Sequence, residues 1–254
     1  MDEPMYMPRY LEPVIAELHK ELSEIIIAPH PGEDILTTAK QRLEMFGIAP
    51  FVKYGTHFAI GRALGLSPSW LQRLLTDRFH SVTSLCHAYD VPVRIEKNVN
   101  KDEFIQHARS LDIDLILSIS CGQILTSDLL SLPSKGAINI HGSLLPEYRG
   151  RATAFWVLYH DESFSGVTAH YMTDDLDGGG IIKQEQFPIA DSDTMHDVYN
   201  KIVDTGSELA LDVVELVKNS AVEPEPNPSD HGEYFSLPDA EARREFLRRG
   251  NEFR

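Results

Sequence analysis

Two polar side chains near the middle of the chain stand at a spacing that could serve catalysis. Asn139 and His141 lie two residues apart, directly after the apolar pair Ala137-Ile138. In a β-strand this spacing puts both side chains on one face, where an amide and an imidazole could act as oxyanion donor and proton carrier. The alternative interpretation is that Asn139 caps a turn and His141 is a satisfied, half-buried histidine.

The surrounding sequence predicts a sheet that would position this pair. Short apolar runs alternate with segments of helical spacing, which favours an α/β sheet with crossover helices. Ligands bind at the carboxyl ends of the strands in such sheets, and Asn139 and His141 end a predicted strand. The predicted strands are 24–28, 92–95, 114–120, 136–141, 166–172 and 181–189, and the predicted helices include 8–22, 102–111, 151–160 and 194–218.

Two segments carry a resemblance to a known family. Residues 139–150 read NIHGSLLPEYRG, and residues 166–179 read GVTAHYMTDDLDGG. They resemble, in the right order, the two signatures of the folate-dependent formyltransferases, which include glycinamide ribonucleotide, methionyl-tRNA and amino-sugar N-formyltransferases. The resemblance is specific from about residue 112 to 189 and weaker through the long helix that follows.

The resemblance implies a catalytic triad of Asn139, His141 and Asp177. Formyl transfer places negative charge on the formyl oxygen while a proton leaves the attacking amine and another reaches the departing nitrogen. Asn139 and protonated His141 would donate to that oxygen, and Asp177 would orient His141 and favour its charged form.

The resemblance also implies that the chain binds N10-formyltetrahydrofolate as formyl donor in a cleft between two loops. For the first loop, plain packing between a strand and a helix is the alternative. Two further residues would face the amine substrate, although Arg149 could equally be a solvated arginine. The expected donor-binding residues are Gln123, Ile124 and Leu125, with Thr173, Asp174, Asp175 and Leu176, and the expected substrate-binding residues are Tyr148 and Arg149.

Cysteine and histidine usage predicts neither a disulfide framework nor a metal site. The two cysteines, Cys86 and Cys121, are not in a C-x-x-C pair, which favours a reducing cytoplasmic location. Cys121 is interpreted as a buried structural thiol. His160 and His170 lack the spacing to a third metal ligand, so no metal is expected.

The expected fold is the Rossmann-like formyltransferase fold, a mostly parallel sheet with helices on both faces. Relatives open with a buried strand, but here the first helix begins after seven residues, so we expect the sheet to lack its first strand. Met1 to Pro4 would then be the loop after that strand, and the chain would be truncated or have a misplaced start. We predict a catalytic domain over 1–220, with a helical elaboration at 33–80, and a linker and short helical tail at 221–254.

The net charge of the chain guides the choice among functions within this family. With 23 basic and 39 acidic residues the formal charge is −16, which does not suit a nucleic-acid-binding surface. We therefore expect a small-molecule amine, with a nucleotide-linked amino sugar as the best candidate, and no nucleic acid. A formyltetrahydrofolate hydrolase, a methionyl-tRNA formyltransferase-like protein and a non-catalytic folate-binding relative remain alternatives.

Two further expectations concern the surface of the molecule. No apolar run approaches the roughly 20 residues that a membrane-spanning helix needs. The aromatic residues of the 33–80 region are interpreted as an ordinary helical subcore or a homodimer contact. A lid over the amine site, or a surface for a lipid-linked substrate, is the alternative interpretation.

Overall fold

The computed structural model of the 254-residue chain describes residues 3–31, 35–220, 222–228 and 232–254. Met1, Asp2 and the expected helix start at Glu33 lie outside these residues. The helices are α1 (Met7–Leu18), α2 (Ile35–Phe46), α3 (Ile48–Gly65), α4 (Ser69–Thr76), α5 (Val82–Ala88), α6 (Asp102–Ser110), α7 (Ser127–Leu130), α8 (Thr153–Tyr159), α9 (Met195–Lys218) and α10 (Ala240–Arg248). The strands are β1 (Ile25–Ile27), β2 (Val93–Ile95), β3 (Ile116–Ile119), β4 (Ala137–His141), β5 (Arg149–Gly150), β6 (Phe164–Tyr171), β7 (Ile181–Pro188) and β8 (Tyr234–Phe235).

The strands form a four-stranded sheet in the order β3-β4-β6-β7 and two smaller pairs, β1-β2 and β5-β8. The pairs β1-β2, β3-β4 and β5-β8 are parallel, which confirms the expected Rossmann-like arrangement. The last two strands of the larger sheet run antiparallel to their neighbours. This register places Asn139 beside Ser118 on one side and opposite His170 on the other.

The two main helices pack together over the larger sheet. In α9 the hydroxyl of Thr194 accepts from the backbone N–H of Asp197, whose carboxylate accepts from the backbone N–H of Thr194, forming a capping box. Tyr10 of α1 lies so close to Gly206 of α9 that a Cβ there would stand 2.0 Å from the phenol oxygen. The close approach of these helices therefore requires glycine at 206.

A cavity of about 470 Å³ separates β1 from β3. The two strands face each other across it without pairing. Beyond their ends, Gly122 N donates a 3.2 Å hydrogen bond to Ala28 O. Ser118 lines the cavity, and its hydroxyl is buried without a hydrogen-bond partner. The expected single sheet is thus divided at this point.

The C-terminal residues pack on the body of the molecule. β8 pairs with β5, and the side chains of Phe246 and Phe253 lie in the main core, where Phe246 stacks on Phe155 with ring centroids 4.5 Å apart. The expected division at residue 220 remains a prediction. The tail beyond it shares its core with the preceding residues.

Candidate active site

The central strand β4 positions the predicted pair Asn139 and His141. Both side chains point to one face because of the two-residue period of a strand. His141 is only 6% exposed, whereas Asn139 is half-buried. The Asn139 side chain is therefore partly accessible to solvent, whereas the His141 imidazole is nearly inaccessible.

The loop between β6 and β7 brings the third predicted residue to this pair. Asp177 Oδ1 lies 3.7 Å from His141 Nδ1 and 3.7 Å from Nε2 of a second histidine, His170. Its other oxygen accepts a 2.9 Å hydrogen bond from the backbone N–H of Gly150. The carboxylate of Asp177 thus lies beside two histidines, His141 and His170.

The hydrogen bonds of His141 determine which nitrogen faces Asp177. Nε2 lies 2.9 Å from the carbonyl oxygen of Tyr148, and because a carbonyl can only accept, Nε2 carries a hydrogen. Nδ1 is then the nitrogen that faces the carboxylate of Asp177, at 3.7 Å. That separation is longer than a direct hydrogen bond.

His170 is a buried neutral neighbour of the site. Its Nδ1 lies 2.8 Å from the carbonyl oxygen of Tyr171 and therefore carries the hydrogen, so Nε2 accepts from Asn139 Nδ2 at 3.2 Å. Burial is the main reason why the pKa of His170 falls to about 4, and nearby His141 lowers it further. His170 thus fixes the orientation of the Asn139 amide without adding charge.

A second layer of contacts holds the Asp177 loop in place. Asn227, in the C-terminal segment, donates from Nδ2 to the carbonyl oxygens of Asp177 (2.8 Å) and Gly179 (2.9 Å). Arg149 in turn donates to the carbonyl oxygen of Pro228 at 2.8 Å. The C-terminal segment therefore helps to position the carboxylate.

The first predicted donor-binding loop follows β3. The side chain of Gln123 is buried and bonds to three backbone groups, with Nε2 2.9 Å from Pro29 O and 3.2 Å from Glu96 O, and Oε1 3.0 Å from Val99 N. Leu125 is buried in an apolar cluster, whereas Ile124 is 67% exposed. Only Ile124 of the three offers its side chain to a ligand.

The second predicted donor-binding loop is exposed from Thr173 to Leu176. Leu176 is 45% exposed, and Met172, directly before the loop, packs against the same apolar cluster as Leu125. The two loops therefore adjoin one cluster, and their role in binding the donor stays a prediction.

The two predicted substrate-binding residues have different surroundings. Tyr148 donates a 2.7 Å hydrogen bond to Glu162 and stacks on Phe235 at 5.3 Å. Arg149 is 6% exposed and directed toward the C-terminal segment, which corresponds to neither the substrate-facing nor the solvated arginine considered from the sequence. A second arginine, Arg151, lies 3.1 Å from His30 Nε2, at the end of β1.

The remaining sequence expectations concern thiols and metals. Cys121 is half-buried, and burial raises the pKa of its thiol, in agreement with an unreactive thiol. Within the described ranges, no three His, Cys, Asp or Glu side chains are arranged to hold a metal ion.

Two residues that contact the site, His170 and Asn227, are not among its predicted residues. His170 enters the sequence predictions only as a histidine without metal-ligand spacing, and Asn227 only as part of the C-terminal linker. A signal for His170 existed, since it lies in the strand that precedes the Asp-rich loop. Asn227 carried no such signal, because its role depends on the path of the C-terminal segment.

Known proteins resemble the chain over about half of its length. Methionyl-tRNA formyltransferase from Clostridium tetani is 35% identical over 137 residues, which are 54% of this chain and 44% of that protein. Bifunctional polymyxin resistance protein ArnA from Wigglesworthia glossinidia brevipalpis is 39% identical over 124 residues, which are 49% of this chain and 19% of that protein. The chain spans less than half the length of these relatives.

Solved structures share the fold. Glycinamide ribonucleotide transformylase 1 from Symbiobacterium toebii matches with a TM-score of 0.55 and 16% identity over 82% of this chain and 92% of that one. An N-formyltransferase from Helicobacter canadensis, in complex with folinic acid and dTDP-3-aminofucose, matches with a TM-score of 0.53 and 18% identity over 84% of this chain and 71% of that one. At these identities the likeness shows the fold alone.

The family profile of the formyl transferases matches residues 57–214, more than half of the chain, and this range contains Asn139, His141, His170 and Asp177. The chain therefore belongs to the formyl transferase family.

Proposed function

We propose that the protein transfers the formyl group of N10-formyltetrahydrofolate to a primary amine of a small molecule. The observation that carries this proposal is that His141 lies beside the carboxylate of Asp177, while His170 lies next to the same carboxylate and holds the Asn139 amide by a hydrogen bond. An amide donor, a titratable imidazole and a carboxylate are the groups that acyl transfer to an amine requires.

Asn139 would stabilise the negative charge that develops on the formyl oxygen. One N–H of its amide donates to His170, and the other would donate to the oxygen. Because the amide is held before the reaction begins, its dipole needs no reorientation, which is the basis of oxyanion stabilisation.

His141 and Asp177 would manage the protons. With Nε2–H bound to the carbonyl of Tyr148, Nδ1 of His141 would hold the proton that reaches the departing folate nitrogen. Asp177 would stabilise that proton by charge and accept, directly or through water, the proton that leaves the attacking amine.

The donor supplies an activated formyl group when bound, and the two predicted loops offer suitable surfaces for it. Ile124 and Leu176, one in each loop, expose aliphatic side chains that could cover the faces of a flat ring. Solved relatives described with folinic acid or tetrahydrofolate support the choice of donor.

For the acceptor we propose a nucleotide-linked amino sugar. The charge of −16 weighs against a tRNA, although the curated relatives include methionyl-tRNA formyltransferases. Arg151 follows directly after Gly150, the residue that binds Asp177, and could contact a diphosphate. The two free cysteines favour the reducing cytoplasm as the location.

The test is to incubate the purified protein with N10-formyltetrahydrofolate and a panel of nucleotide-linked amino sugars, glycinamide ribonucleotide and methionyl-tRNA. Amine-dependent release of tetrahydrofolate with a sugar is the expected result. Turnover without any amine would instead indicate a hydrolase, turnover only with methionyl-tRNA would reject the sugar, and folate binding without turnover would reject catalysis.

A further inference from the structure

Helices α3 and α4 expose large apolar side chains. Among the described residues, nine of the fifteen exposed large apolar side chains lie between Leu43 and Leu75. We call the most exposed of them the apolar face: Ile48, Val52, Ile60, Leu66, Trp70, Leu74 and Leu75, which are 56–88% exposed. Contiguous exposed apolar surface usually marks an interaction site.

The opposite side of α3 is fixed to the body of the molecule. A Cβ at Gly61 would stand 2.9 Å from Pro4, so the helix lies directly on that residue. Tyr54 stacks on Phe46 at 4.9 Å and donates a 3.0 Å hydrogen bond to Phe253 O. These contacts orient the helix, so the apolar face is turned outward by the packing itself.

The charge of this region is opposite to that of the whole chain. No acidic residue occurs between Glu44 and Asp77, although the chain contains 39 of them. The same stretch contains Lys53, Arg62 and Arg73. Arg73 forms a 3.0 Å ion pair with Glu12, so part of its charge is met within the chain.

The positions of the cations match the apolar face. At about 100° per residue, Ile48 and Val52 lie along one line of α3, with Lys53 and Arg62 on either side of it. Trp70 and Leu74 lie one turn apart on α4. Apolar residues flanked by cations, with a tryptophan, are typical of helices that lie in the headgroup region of a bilayer.

We propose that α3 and α4 dock the protein on the surface of a bilayer that contains anionic lipids. Charge complementarity favours this partner over a second copy of the chain, because a symmetric dimer through this face would bring Lys53 and Arg62 of both copies together. No helix in the described part of the chain is suited to crossing a membrane, so the contact is with the surface.

The experiment uses the full chain and sedimentation with vesicles of phosphatidylcholine alone or with 30% phosphatidylglycerol. We expect binding to the anionic vesicles, weakened by salt, and a blue shift of Trp70 fluorescence in a Trp156→Phe background. The double variant W70Q/L74Q should bind at least about tenfold more weakly, since it removes two inserted side chains. The control I95Q/L247Q changes two exposed apolar residues elsewhere and should bind as the wild type does.

A pair of charge variants distinguishes recognition of anionic lipids from nonspecific adsorption to vesicles. Lys53→Glu should weaken binding to anionic vesicles severalfold, whereas Lys97→Glu on another exposed surface should not. Circular dichroism verifies that each variant is folded. Absence of wild-type binding, equal binding to both vesicle types, or unchanged binding of W70Q/L74Q would overturn the proposal. If the wild type forms a dimer and does not bind vesicles, and if W70Q/L74Q is monomeric, the apolar face is instead an interface with a second copy of the chain.

Discussion

At the scale of single residues, the site depends on a difference in hydrogen bonding between two neighbouring histidines. His141 and His170 both lie 3.7 Å from Asp177, yet only His170 has both ring nitrogens engaged, with Tyr171 O and the Asn139 amide. Burial lowers the pKa of His170, which keeps that ring neutral. We therefore propose that His141 transfers protons, whereas His170 positions the Asn139 amide.

The role of Asn139 predicts a loss of rate with little loss of binding. Asn139→Ala removes an oxyanion donor, which typically lowers kcat by about 100-fold or more, and the KM for the folate should change little. Steady-state kinetics with the best amine measures both constants. Asn219→Ala, at an exposed helix end, serves as control and should keep the wild-type rate. A variant at 139 with reduced affinity but normal kcat would contradict this role.

Burial of His170 predicts a specific dependence of stability on pH. Its pKa is about 4 in the folded protein, against an ordinary value of 6.5, so the unfolded chain binds the proton more readily between these values. The contribution of this pKa difference to the free energy of unfolding is fully present above pH 6.5 and is lost as the pH falls toward 4. From pH 7 to pH 5 the wild type should lose about 2 kcal/mol through this residue.

His170→Gln should lack that part of the pH dependence. Urea unfolding of both proteins at pH 7 and pH 5 gives the comparison, because the other titrating groups are shared. Parallel loss of stability in the two proteins would show that His170 is not held neutral by the fold.

At the scale of elements, the sequence predicts the six longer strands and the main helices because their apolar patterns are strong, whereas the two-residue strands β5 and β8 have no such pattern. It also placed Asn139 and His141 on one face, since that follows from the strand alone. The opposition of Asn139 and His170 depends on the register of β4 with β6, which local sequence does not contain. The burial of Arg149 likewise depends on where the C-terminal segment runs.

That segment leads to a prediction for Asn227 as a positioning residue. Asn227→Ala and Asn227→Asp both remove the N–H groups that hold the Asp177 loop, so both should lower kcat by about tenfold and stability by about 1–3 kcal/mol. Equal effects of the two variants identify the donors as the cause. Glu223→Ala, an exposed change in the same segment, is the control. Normal kcat in both variants would limit Asn227 to a structural role.

The cavity between β1 and β3 leads to a stability prediction. The Ser118 hydroxyl is buried there without a partner, so Ser118→Val should stabilise the protein by about 1 kcal/mol by removing it and filling space. Ser143 is also buried, but its hydroxyl donates to Glu147 O at 3.0 Å, and Ser143→Val should therefore destabilise. Thermal unfolding of both variants distinguishes them, and destabilisation by Ser118→Val would contradict the assignment.

At the scale of the whole molecule, charge and packing separate two regions. The acidic body carries the strands, the long helix and the predicted catalytic groups, whereas the α3–α4 region is basic and exposes apolar residues. From the sequence, its aromatics were assigned to a subcore or a dimer contact. The structure divides them, since Phe46 packs inside while Trp70 is 66% exposed.

We propose that Asn139, His141 and Asp177 carry out formyl transfer, and amine-dependent release of tetrahydrofolate by Asp177→Asn tests this proposal. The substitution preserves size but removes the carboxylate that lies 3.7 Å from His141 and that would accept the proton of the amine. We expect kcat to fall by at least about 100-fold, with the exposed control Asp191→Asn as active as the wild type. A wild-type rate in folded Asp177→Asn would show that these residues do not carry out the transfer.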